Sequence, residues 1–373
     1  MIIAVNARLL QKDRMEGIAR YIYEVTRRMV LNHPEHDFIF LFDRPFDQQF
    51  IFANNVTGVR VGLPARSPIL FNLWFDYTIP RALKKNKADL FFSGDAYLSL
   101  RTNIPSVMVS HDLAYLHYPE HLPASHLRHY RKYFPKYHQK ADAIIAVSEA
   151  TKSDIVNQYD IDPAKIHIGH NATPKGFTPV NEYTKEKTKA QYSQDKPYFF
   201  YIGSLHPRKN IHGLINAFSA YKKKYKTEHQ LVIVGRKAWN YNQIQTAYDQ
   251  SECKDEIHMY HNIKDEAKAM LASAEAMIYI STFEGFGIPI LEAFSSGVPV
   301  ITSNTSSMPE VAGDAAILVD PTSTTEIVAA MQSVVNDPTL RASLIAKGHE
   351  RTKAFDWNQT AEVVWDVIEG VVK

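Results

Sequence analysis

The sequence predicts an α/β protein built from two Rossmann-like, doubly wound domains. Its 373 residues exceed the size that a single hydrophobic core usually serves. Short apolar runs rich in β-branched residues, typical of buried parallel strands, alternate with helical patterns. A polar stretch without apolar periodicity runs from Asn171 to Asp195 and separates two such series. We therefore place one domain at residues 1–175 and a second at residues 176–354, followed by a helix at residues 355–373.

The composition is that of an ordinary globular enzyme, with 45% apolar and 22% charged residues. The single cysteine, Cys253, rules out an internal disulfide and a thiolate metal cluster, which fits a reducing compartment. The first residues lack the pattern of an export signal, and no apolar run reaches the length of a membrane span. We therefore expect a cytoplasmic protein.

Charge is unevenly distributed along the chain, although its net value is only +2. Residues 1–175 contain 22 Lys and Arg against 17 Asp and Glu, and the remaining residues contain 20 against 23. The positive excess in the first half favours an anionic partner there. It is too small to indicate nucleic-acid binding.

The first domain begins with a β-loop-α-β pattern. A strand at Ile2 to Val5 leads through a loop containing Gly17 to an amphipathic helix, and a strand at Phe38 to Phe42 follows. No G-x-G-x-x-G follows the first strand, which argues against a dinucleotide-dependent dehydrogenase. Gly17 could bring backbone N–H groups close to a phosphate, and the alternative is a plain helix-entry turn.

Two further strands, at Leu90 to Phe92 and at Ser106 to Val109, continue the first sheet. The second of them leads directly to His111. Ligands of open α/β sheets bind beyond the carboxyl ends of the strands, so His111 is placed where it could hydrogen-bond a ligand hydroxyl. The alternative is a histidine with a purely structural role.

The segment from His117 to Ala141 combines cations with aromatic residues and has no acid after Glu120. Such a helix can lie on an anionic membrane or meet a lipid-phosphate acceptor. The alternative is a solvated basic face backed by aromatic core contacts. We expect Pro135 to interrupt the helix, which weakens the membrane interpretation.

A strand at Ala143 to Val147 and a helix precede the pair Asp160 and Asp162. Two aspartates separated by one residue can hold a metal and a diphosphate. Here they stand before Pro163 in a connecting loop and not after a strand, so turn chemistry is the better explanation. We expect no metal.

The second domain opens with a strand at Tyr198 to Ile202, followed by Gly203 and then by Arg208 and Lys209 at the start of a helix. Two cations at such a junction can neutralise a diphosphate without a metal, and the alternative is a pair of exposed loop cations. Strands ending at Gly235 and Tyr260 reach the same edge of the predicted sheet.

The stretch from Ala276 to Thr302 carries the densest signal. An apolar strand leads into a turn with two glycines, and Pro289 marks the first turn of a helix. Free N–H groups and the helix dipole make such a junction an anion site. Glu284 and Glu292 frame this junction, which suits a ligand with an anionic linker and neutral hydroxyls, such as a nucleotide sugar. Two unrelated surface glutamates are the alternative.

Residues Glu284 to Glu292 resemble the glutamate-x7-glutamate signature of retaining glycosyltransferases with the GT-B fold. The continuation from Gly297 to Ala316 resembles the next block of the same family, glycosyltransferase family 4 or glycosyl transferases group 1, which includes bacterial mannosyltransferases. The resemblance is tight from 198 to 322. This chain departs from the family at Ala19 and Ala172, where glycine is common, and at Ser204, where many members have arginine.

The resemblance implies two domains facing across a cleft, with the final helix crossing back to the first domain. The second domain would hold the donor and the first the acceptor. Glu284 would hold the sugar hydroxyls and Glu292 the ribose hydroxyls, while His111 would contact the sugar from the opposite wall. The leaving diphosphate would be stabilised by catalytic Arg208 and Lys209.

Backbone groups complete the donor site that the resemblance implies. The N–H groups of Gly285, Phe286, Gly287 and Ile288 would bind the diphosphate, together with Gly17 and Gly203. Tyr260 and Ile263 border the segment in which backbone atoms read the base. Departure and attack would occur on the same face of the sugar, with neither glutamate as nucleophile and no metal or other cofactor.

The expected reaction is hexosyl transfer from a nucleotide sugar, with GDP-mannose as the first choice and a UDP-sugar as the second. The acceptor would be a cell-surface polysaccharide or a lipid-linked glycan. Glucosyl or rhamnosyl transfer and sucrose- or glycogen-type synthesis are the enzymatic alternatives, although the chain is short for the last two. A non-enzymatic nucleotide-sugar-binding scaffold would be expected to lose Glu284 or the cations, and both are present.

Overall fold

The computed structural model describes residues 1–12, 15, 17–65, 67–236, 241–261, 263 and 265–373. Contacts divide the chain into two units. Unit 1 comprises Met1–Asn171 together with Asp356–Lys373, and unit 2 comprises Ala172–Phe355. Each unit is a parallel β-sheet with helices, so the predicted fold class is confirmed.

Within its described residues, unit 1 contains a seven-stranded parallel sheet in the order β3-β2-β1-β4-β5-β6-β7. The strands are β1 Ile2–Asn6, β2 Asp37–Phe42, β3 Val56–Arg60, β4 Leu90–Ser93, β5 Ser106–Ser110, β6 Ala143–Ala146 and β7 Ile166–Ile168. The helices are α1 Ile18–Asn32, α2 Pro68–Leu73, α3 Ile79–Lys85, α4 Ala114–His117, α5 Ala124–Lys140 and α6 Glu149–Tyr159. A single π-helical turn, Trp74–Thr78, joins α2 to α3.

Unit 2 contains a six-stranded parallel sheet in the order β10-β9-β8-β11-β12-β13, again within its described residues. The strands are β8 Tyr198–Ile202, β9 Gln230–Val234, β10 Ile257–Tyr260, β11 Ala276–Tyr279, β12 Val300–Ser303 and β13 Ala316–Val319. The helices are α7 Glu182–Tyr192, α8 Ile211–Tyr225, α9 Asn242–Gln250, α10 Glu266–Ala272, α11 Ile288–Ser295, α12 Met308–Ala312, α13 Thr324–Asn336 and α14 Pro338–Thr352.

The strand order reverses once in each sheet, between β1 and β4 in unit 1 and between β8 and β11 in unit 2. The central strands of both sheets are buried, as their continuous apolar sequences predict. Ligands of doubly wound sheets bind beyond the carboxyl ends of the strands at such a reversal point. A ligand site is therefore expected at the loops that follow β1, β4, β8 and β11.

The chain ends in helix α15, Trp357–Val372, which packs against α1 and belongs to unit 1. Asp356 caps its first turn by accepting hydrogen bonds from backbone N–H groups of that turn. The Trp365 ring stacks on His33, with 3.6 Å between centroids, and Thr360 Oγ1 donates to the carbonyl of His170 at 2.7 Å. In the described part of the chain, no helix is long and apolar enough to cross a membrane.

One local prediction was wrong. Helix α5 continues through Pro135, because Phe134, Tyr137 and His138 are buried around it and their packing outweighs one missing backbone hydrogen bond. The polar stretch from Asn171 to Asp195 contains a helix, α7, although it lacks apolar periodicity. The Asn181 side chain caps this helix and Tyr192 is buried, so a cap and a tertiary contact replace the missing pattern.

Candidate functional site

The turn between β11 and α11 carries a buried ion pair at its centre. Glu284 Oε1 accepts hydrogen bonds from Lys209 Nζ and from the Tyr279 hydroxyl, the latter at 2.9 Å. Lys209 Nζ also donates to the Tyr279 oxygen at 2.7 Å. All three residues are buried. We refer to them as the Glu284–Lys209–Tyr279 cluster.

Burial and nearby charges set the protonation states of Glu284 and Tyr279. Burial acts to raise the pKa of Glu284, but the charges of Lys209 and Arg208 outweigh it and hold the pKa below its ordinary value. Burial, followed by the charge of Glu284, raises the pKa of Tyr279 well above 10.0. Glu284 is therefore ionised, and Tyr279 remains a hydrogen-bond donor to it.

The turn itself is held by two serines that follow β12. Ser306 Oγ accepts a hydrogen bond from the Glu284 N–H at 2.9 Å and also contacts the Glu284 carbonyl. Ser307 Oγ lies 2.7 Å from the Phe286 carbonyl and 2.9 Å from that of Glu284. Gly287 has a φ of 108°, which strains any residue with a side chain. The path of the backbone from Glu284 to Gly287 is therefore well determined.

Helix α11 starts at Ile288, with Pro289 in its first turn as predicted. The positive end of its dipole and its first N–H groups lie at the end nearest Glu284. Glu292 is half-buried and one helical turn beyond Ile288, on the same side of the helix. Gly285, Phe286, Gly287 and Ile288 thus form the backbone segment that joins Glu284 to the first turn of α11.

Arg208 and Lys209 stand in a one-turn 3-10 helix after β8, Pro207–Lys209. The Arg208 carbonyl accepts hydrogen bonds from the Thr282 backbone N–H at 2.8 Å and from Thr282 Oγ1 at 3.1 Å. These bonds fasten the cationic loop to the turn that carries Glu284. The two segments identified separately in the sequence are therefore brought together by the reversal between β8 and β11.

Gly203 follows β8 directly and has a φ of 152°. Its N–H donates to the Val234 carbonyl at 3.0 Å, and its own carbonyl would lie 1.8 Å from a Cβ added at Gly235. The ends of β8 and β9 therefore approach more closely than side chains would permit. This accounts for Gly235, whereas at Gly203 an added Cβ would lie 2.7 Å from the Tyr201 hydroxyl. The donor contact of Gly203 stays a prediction.

Tyr260 ends β10, and its hydroxyl donates to the Tyr192 carbonyl at 3.0 Å. Its carbonyl accepts from the Gly235 N–H at 3.0 Å. The Tyr260 side chain therefore has a structural partner, and the role of this segment towards a base stays a prediction. Ile263 lies between residues 262 and 264, which are outside the described residues, and its role stays a prediction.

Unit 1 positions His111 immediately after β5. His111 Nε2 donates to the Gly94 carbonyl at 2.8 Å, and the Tyr21 ring meets the imidazole edge-on at 5.3 Å. Burial lowers the pKa of His111, although the Gly94 carbonyl opposes the shift. The neutral imidazole then presents Nδ1 as an acceptor, which suits a hydroxyl donor.

Gly17 is the N-cap residue of α1, with a φ of 50°. Its carbonyl accepts the first hydrogen bond of the helix, from the Tyr21 N–H at 3.1 Å. The dihedral angle, and not a lack of space, favours glycine here, because a Cβ would meet no atom within 4 Å. Residue 16 lies outside the described residues, and the phosphate contact of Gly17 stays a prediction.

A polar cluster at the reversal point of unit 1 was missed in the sequence. Arg8 Nη2 pairs with Asp95 Oδ2 at 2.6 Å, and Asn6 Nδ2 donates to Asp95 Oδ1 at 2.8 Å. The Arg8 guanidinium also lies over the Tyr97 ring, 4.9 Å from its centroid. Polar residues directly after two buried strands, β1 and β4, were the available signal.

The aspartate pair has the predicted turn role. Asp160 adopts a left-handed conformation after α6, and Asp162 Oδ1 accepts from the Ala164 N–H at 2.9 Å. Among the residues that the structure describes, no group of three or more His, Cys, Asp or Glu could hold a metal ion.

Two family models match the chain. One, described as "Glycosyl transferases group 1", matches residues 182–351, and the other, "Glycosyltransferase Family 4", matches residues 15–174. Together they span most of the sequence. O-antigen chain mannosyltransferase B of Escherichia coli is 27% identical over 367 residues, which cover 95% of this chain and 96% of that protein.

Solved structures match the entire fold. Sucrose-phosphate synthase from Thermosynechococcus elongatus has a TM-score of 0.78 at 18% identity, covering 99% of this chain and 98% of its own. The UDP-glucose complex of HepE from Anabaena has a TM-score of 0.75 at 14% identity, covering 99% of each chain. At these identities the matches establish the fold, and the predicted GT-B architecture is confirmed.

Proposed function

Because the chain belongs to glycosyltransferase family 4, the glycosyl transferases group 1, we propose that it transfers a mannosyl group from a nucleotide sugar, with GDP-mannose as the first choice of donor. The acceptor we propose is a cell-surface polysaccharide or a lipid-linked glycan. The Escherichia coli relative that matches 95% of the chain supports this choice, since its name states mannosyl transfer to an O-antigen chain.

The observation that carries the proposal is the Glu284–Lys209–Tyr279 cluster beside the N-terminus of α11. Breaking the bond between sugar and diphosphate places negative charge on the leaving group. We assign the stabilisation of that charge to Lys209, Arg208 and the backbone N–H groups from Gly285 to Ile288. Glu284, fixed and ionised, accepts hydrogen bonds from the sugar hydroxyls, and Glu292 accepts from the ribose.

We propose transfer with retention and without a glutamate nucleophile. Glu284 Oε1 already accepts two hydrogen bonds, and nearby cations hold its pKa low, so its carboxylate is a weak nucleophile. His111, as a neutral acceptor, orients a hydroxyl of the sugar. Metal independence is part of the same proposal, in which Arg208 and Lys209 supply the positive charge that a metal would otherwise supply.

A donor panel tests the proposed reaction. Purified protein is first screened by thermal shift against GDP, UDP and dTDP, since a diphosphate at about 100 times its Kd should stabilise the fold by about 2.7 kcal/mol. GDP-mannose, UDP-glucose and a dTDP-rhamnose donor are then compared in turnover with a glycan acceptor, and the anomeric configuration of the product is read by NMR. Inversion at the anomeric carbon would overturn the retaining mechanism.

The same panel separates the alternatives. Glucosyl or rhamnosyl transfer predicts turnover of a different donor with the same product geometry. Sucrose- or glycogen-type synthesis, to which the fold is equally suited, predicts transfer to a free sugar phosphate or an α-glucan. A binding scaffold predicts a thermal shift with a nucleotide sugar and no turnover of any donor.

We further propose that the protein works at the cytoplasmic face of an anionic membrane, where a lipid-linked acceptor is found. The single cysteine is in keeping with a reducing compartment. Helix α5 contributes exposed Arg128, Arg131 and Lys132, whereas its Phe134 and Tyr137 are buried in the core. Tyr130 and Tyr133 are half-buried, so this helix offers charge but no fully exposed aromatic side chain for insertion.

A further inference from the structure

Large apolar side chains are exposed together on one segment of unit 1. Leu63 is 70% exposed, Ile69 73%, Leu73 50% and Tyr77 40%. These are half of the eight exposed large apolar residues found among the described residues, and they fall within fifteen positions of the chain. We refer to these four residues as the apolar stripe.

Three of the four residues of the stripe lie on a well-anchored element, and Leu63 precedes it in the loop after β3. Ile69, Leu73 and Tyr77 recur every four residues along α2 and the π-helical turn, so they share one side of it. The opposite side is buried through Phe71, Trp74 and Phe75, and Trp74 Nε1 donates to the Val61 carbonyl at 2.8 Å. The apolar side chains therefore face solvent because the helix is fixed in that orientation.

Exposed Arg and Lys residues follow the stripe in the chain, and Arg101 contacts it. Arg81 follows Tyr77 by four residues and is exposed, as are Lys84 and Lys85 on α3, while the Arg101 guanidinium lies over the Tyr77 ring at 4.3 Å. Asp76 is half-buried, and its Oδ1 accepts a hydrogen bond from the Leu100 N–H at 2.9 Å. Exposed cations therefore follow the apolar stripe in the chain, and one of them contacts Tyr77.

The basic helix α5 is adjacent to the stripe. Helix α2 packs against α5, with the Phe71 ring 5.9 Å from the ring of His129. The exposed α5 cations and the apolar stripe thus belong to neighbouring helices of one unit. Apolar side chains combined with Lys and Arg are what holds a peripheral protein on an anionic bilayer, because either contribution alone binds only marginally.

We propose that the apolar stripe, with the cations of α3 and α5, is a docking surface for an anionic membrane. Leu63, Ile69, Leu73 and Tyr77 enter the boundary between headgroups and acyl chains, and the cations pair with lipid phosphates. This inference rests on the proposed membrane-linked acceptor and names the surface that reaches it. Its test requires no sugar, so its failure is distinguishable from failure of the proposed transfer.

Vesicle co-sedimentation of the full chain tests the proposal, using phosphatidylcholine with and without phosphatidylglycerol at low and high salt. Wild type should bind the anionic vesicles and lose binding at high salt. The double variant Ile69→Ser/Leu73→Ser should bind at least about tenfold more weakly. The matched control, Leu31→Ser/Tyr183→Ser, removes two exposed apolar residues elsewhere and should bind like wild type.

The charge contribution is measured with the triple variant Arg81→Gln/Lys84→Gln/Lys85→Gln, which should lose about fivefold in binding for each cation removed. A separate variant, Leu73→Trp, gives a signal that a folding defect cannot imitate. Its fluorescence should shift to the blue on adding anionic vesicles and be quenched by brominated acyl chains.

Three outcomes would overturn the proposal. Wild type could bind neutral and anionic vesicles equally well. The control variant could lose as much binding as the stripe variant. The tryptophan at position 73 could remain unquenched by brominated acyl chains. Self-association of wild type without lipid, abolished in the stripe variant, would instead assign this surface to a second copy of the chain.

Discussion

Replacing Tyr279 by Phe removes one oxygen from the Glu284–Lys209–Tyr279 cluster and leaves the ring in place. The hydroxyl donates to Glu284 at 2.9 Å and accepts from Lys209 at 2.7 Å, in a fully buried position. A hydrogen bond to a charged group contributes about 1.5–3 kcal/mol. If that energy holds Glu284 in the geometry of the transition state, kcat/KM falls roughly 10- to 100-fold. The affinity for free nucleoside diphosphate should change much less, because Lys209 keeps its charge and its hydrogen bond to Glu284.

The assay measures kcat and KM for donor and acceptor, together with the melting temperature. Tyr201→Phe is the matched control, because Tyr201 is equally buried and stacks 6.1 Å from Tyr279, but its hydroxyl donates to the Ser204 carbonyl. Loss of a donor to the Glu284 carboxylate also raises its pKa, so the acid limb of kcat/KM should move to higher pH in the Tyr279 variant alone. The reasoning is refuted if the Tyr279 variant keeps wild-type kcat/KM, or if the control loses as much.

The remaining predictions concern the two glutamates, metal dependence and acid stability. Glu292→Ala should weaken diphosphate binding, whereas Glu284→Ala should leave it nearly intact and lower turnover at least about 10²-fold; equal effects on diphosphate binding in calorimetry would contradict the assigned roles. Turnover should persist in excess chelator, and full loss restored by Mg²⁺ or Mn²⁺ would falsify metal independence. Burial lowers the pKa of His138 to about 4, although Nδ1 donates to the Phe134 carbonyl at 2.8 Å. Since the unfolded chain binds this proton first, stability should decline as pH falls from about 6.5 towards 4, by about 2 kcal/mol at pH 5. Urea unfolding of His138→Gln should show a flatter pH profile, and an unchanged slope would exclude His138 as the source.

The positions of most strands along the chain, and the segments proposed for the site, were identified from the sequence because both depend on local patterns. Buried parallel strands are apolar on both faces, so the strand from Tyr198 to Ile202 is predicted with the bounds that the structure has. Glu284 and Lys209 were each identified beside a strand end. Their direct pairing was not, since it depends on the reversal of strand order between β8 and β11, which no local pattern encodes.

The supporting groups escaped prediction for a related reason. Tyr279 lies in an apolar strand, so the sequence pattern indicates a core residue. The pattern does not indicate which residue its hydroxyl contacts. Ser306 and Ser307 were visible only as part of a family block, and their contacts with the 284–287 turn arise from tertiary structure. The continuity of α5 through Pro135 has the same origin, because tertiary packing outweighs the tendency of proline to interrupt a helix.

The place of α15 in unit 1 has a consequence for synthesis on the ribosome. Unit 2 is continuous in sequence, from Ala172 to Phe355, whereas unit 1 needs residues on both sides of it. At about 5–20 residues per second, roughly 10 to 40 seconds pass between completion of the first part of unit 1 and emergence of α15. During that interval the side of α1 that α15 covers has no partner from its own unit. Nascent chains released before α15 emerges should therefore carry a finished unit 2 and a unit 1 that proteases cleave.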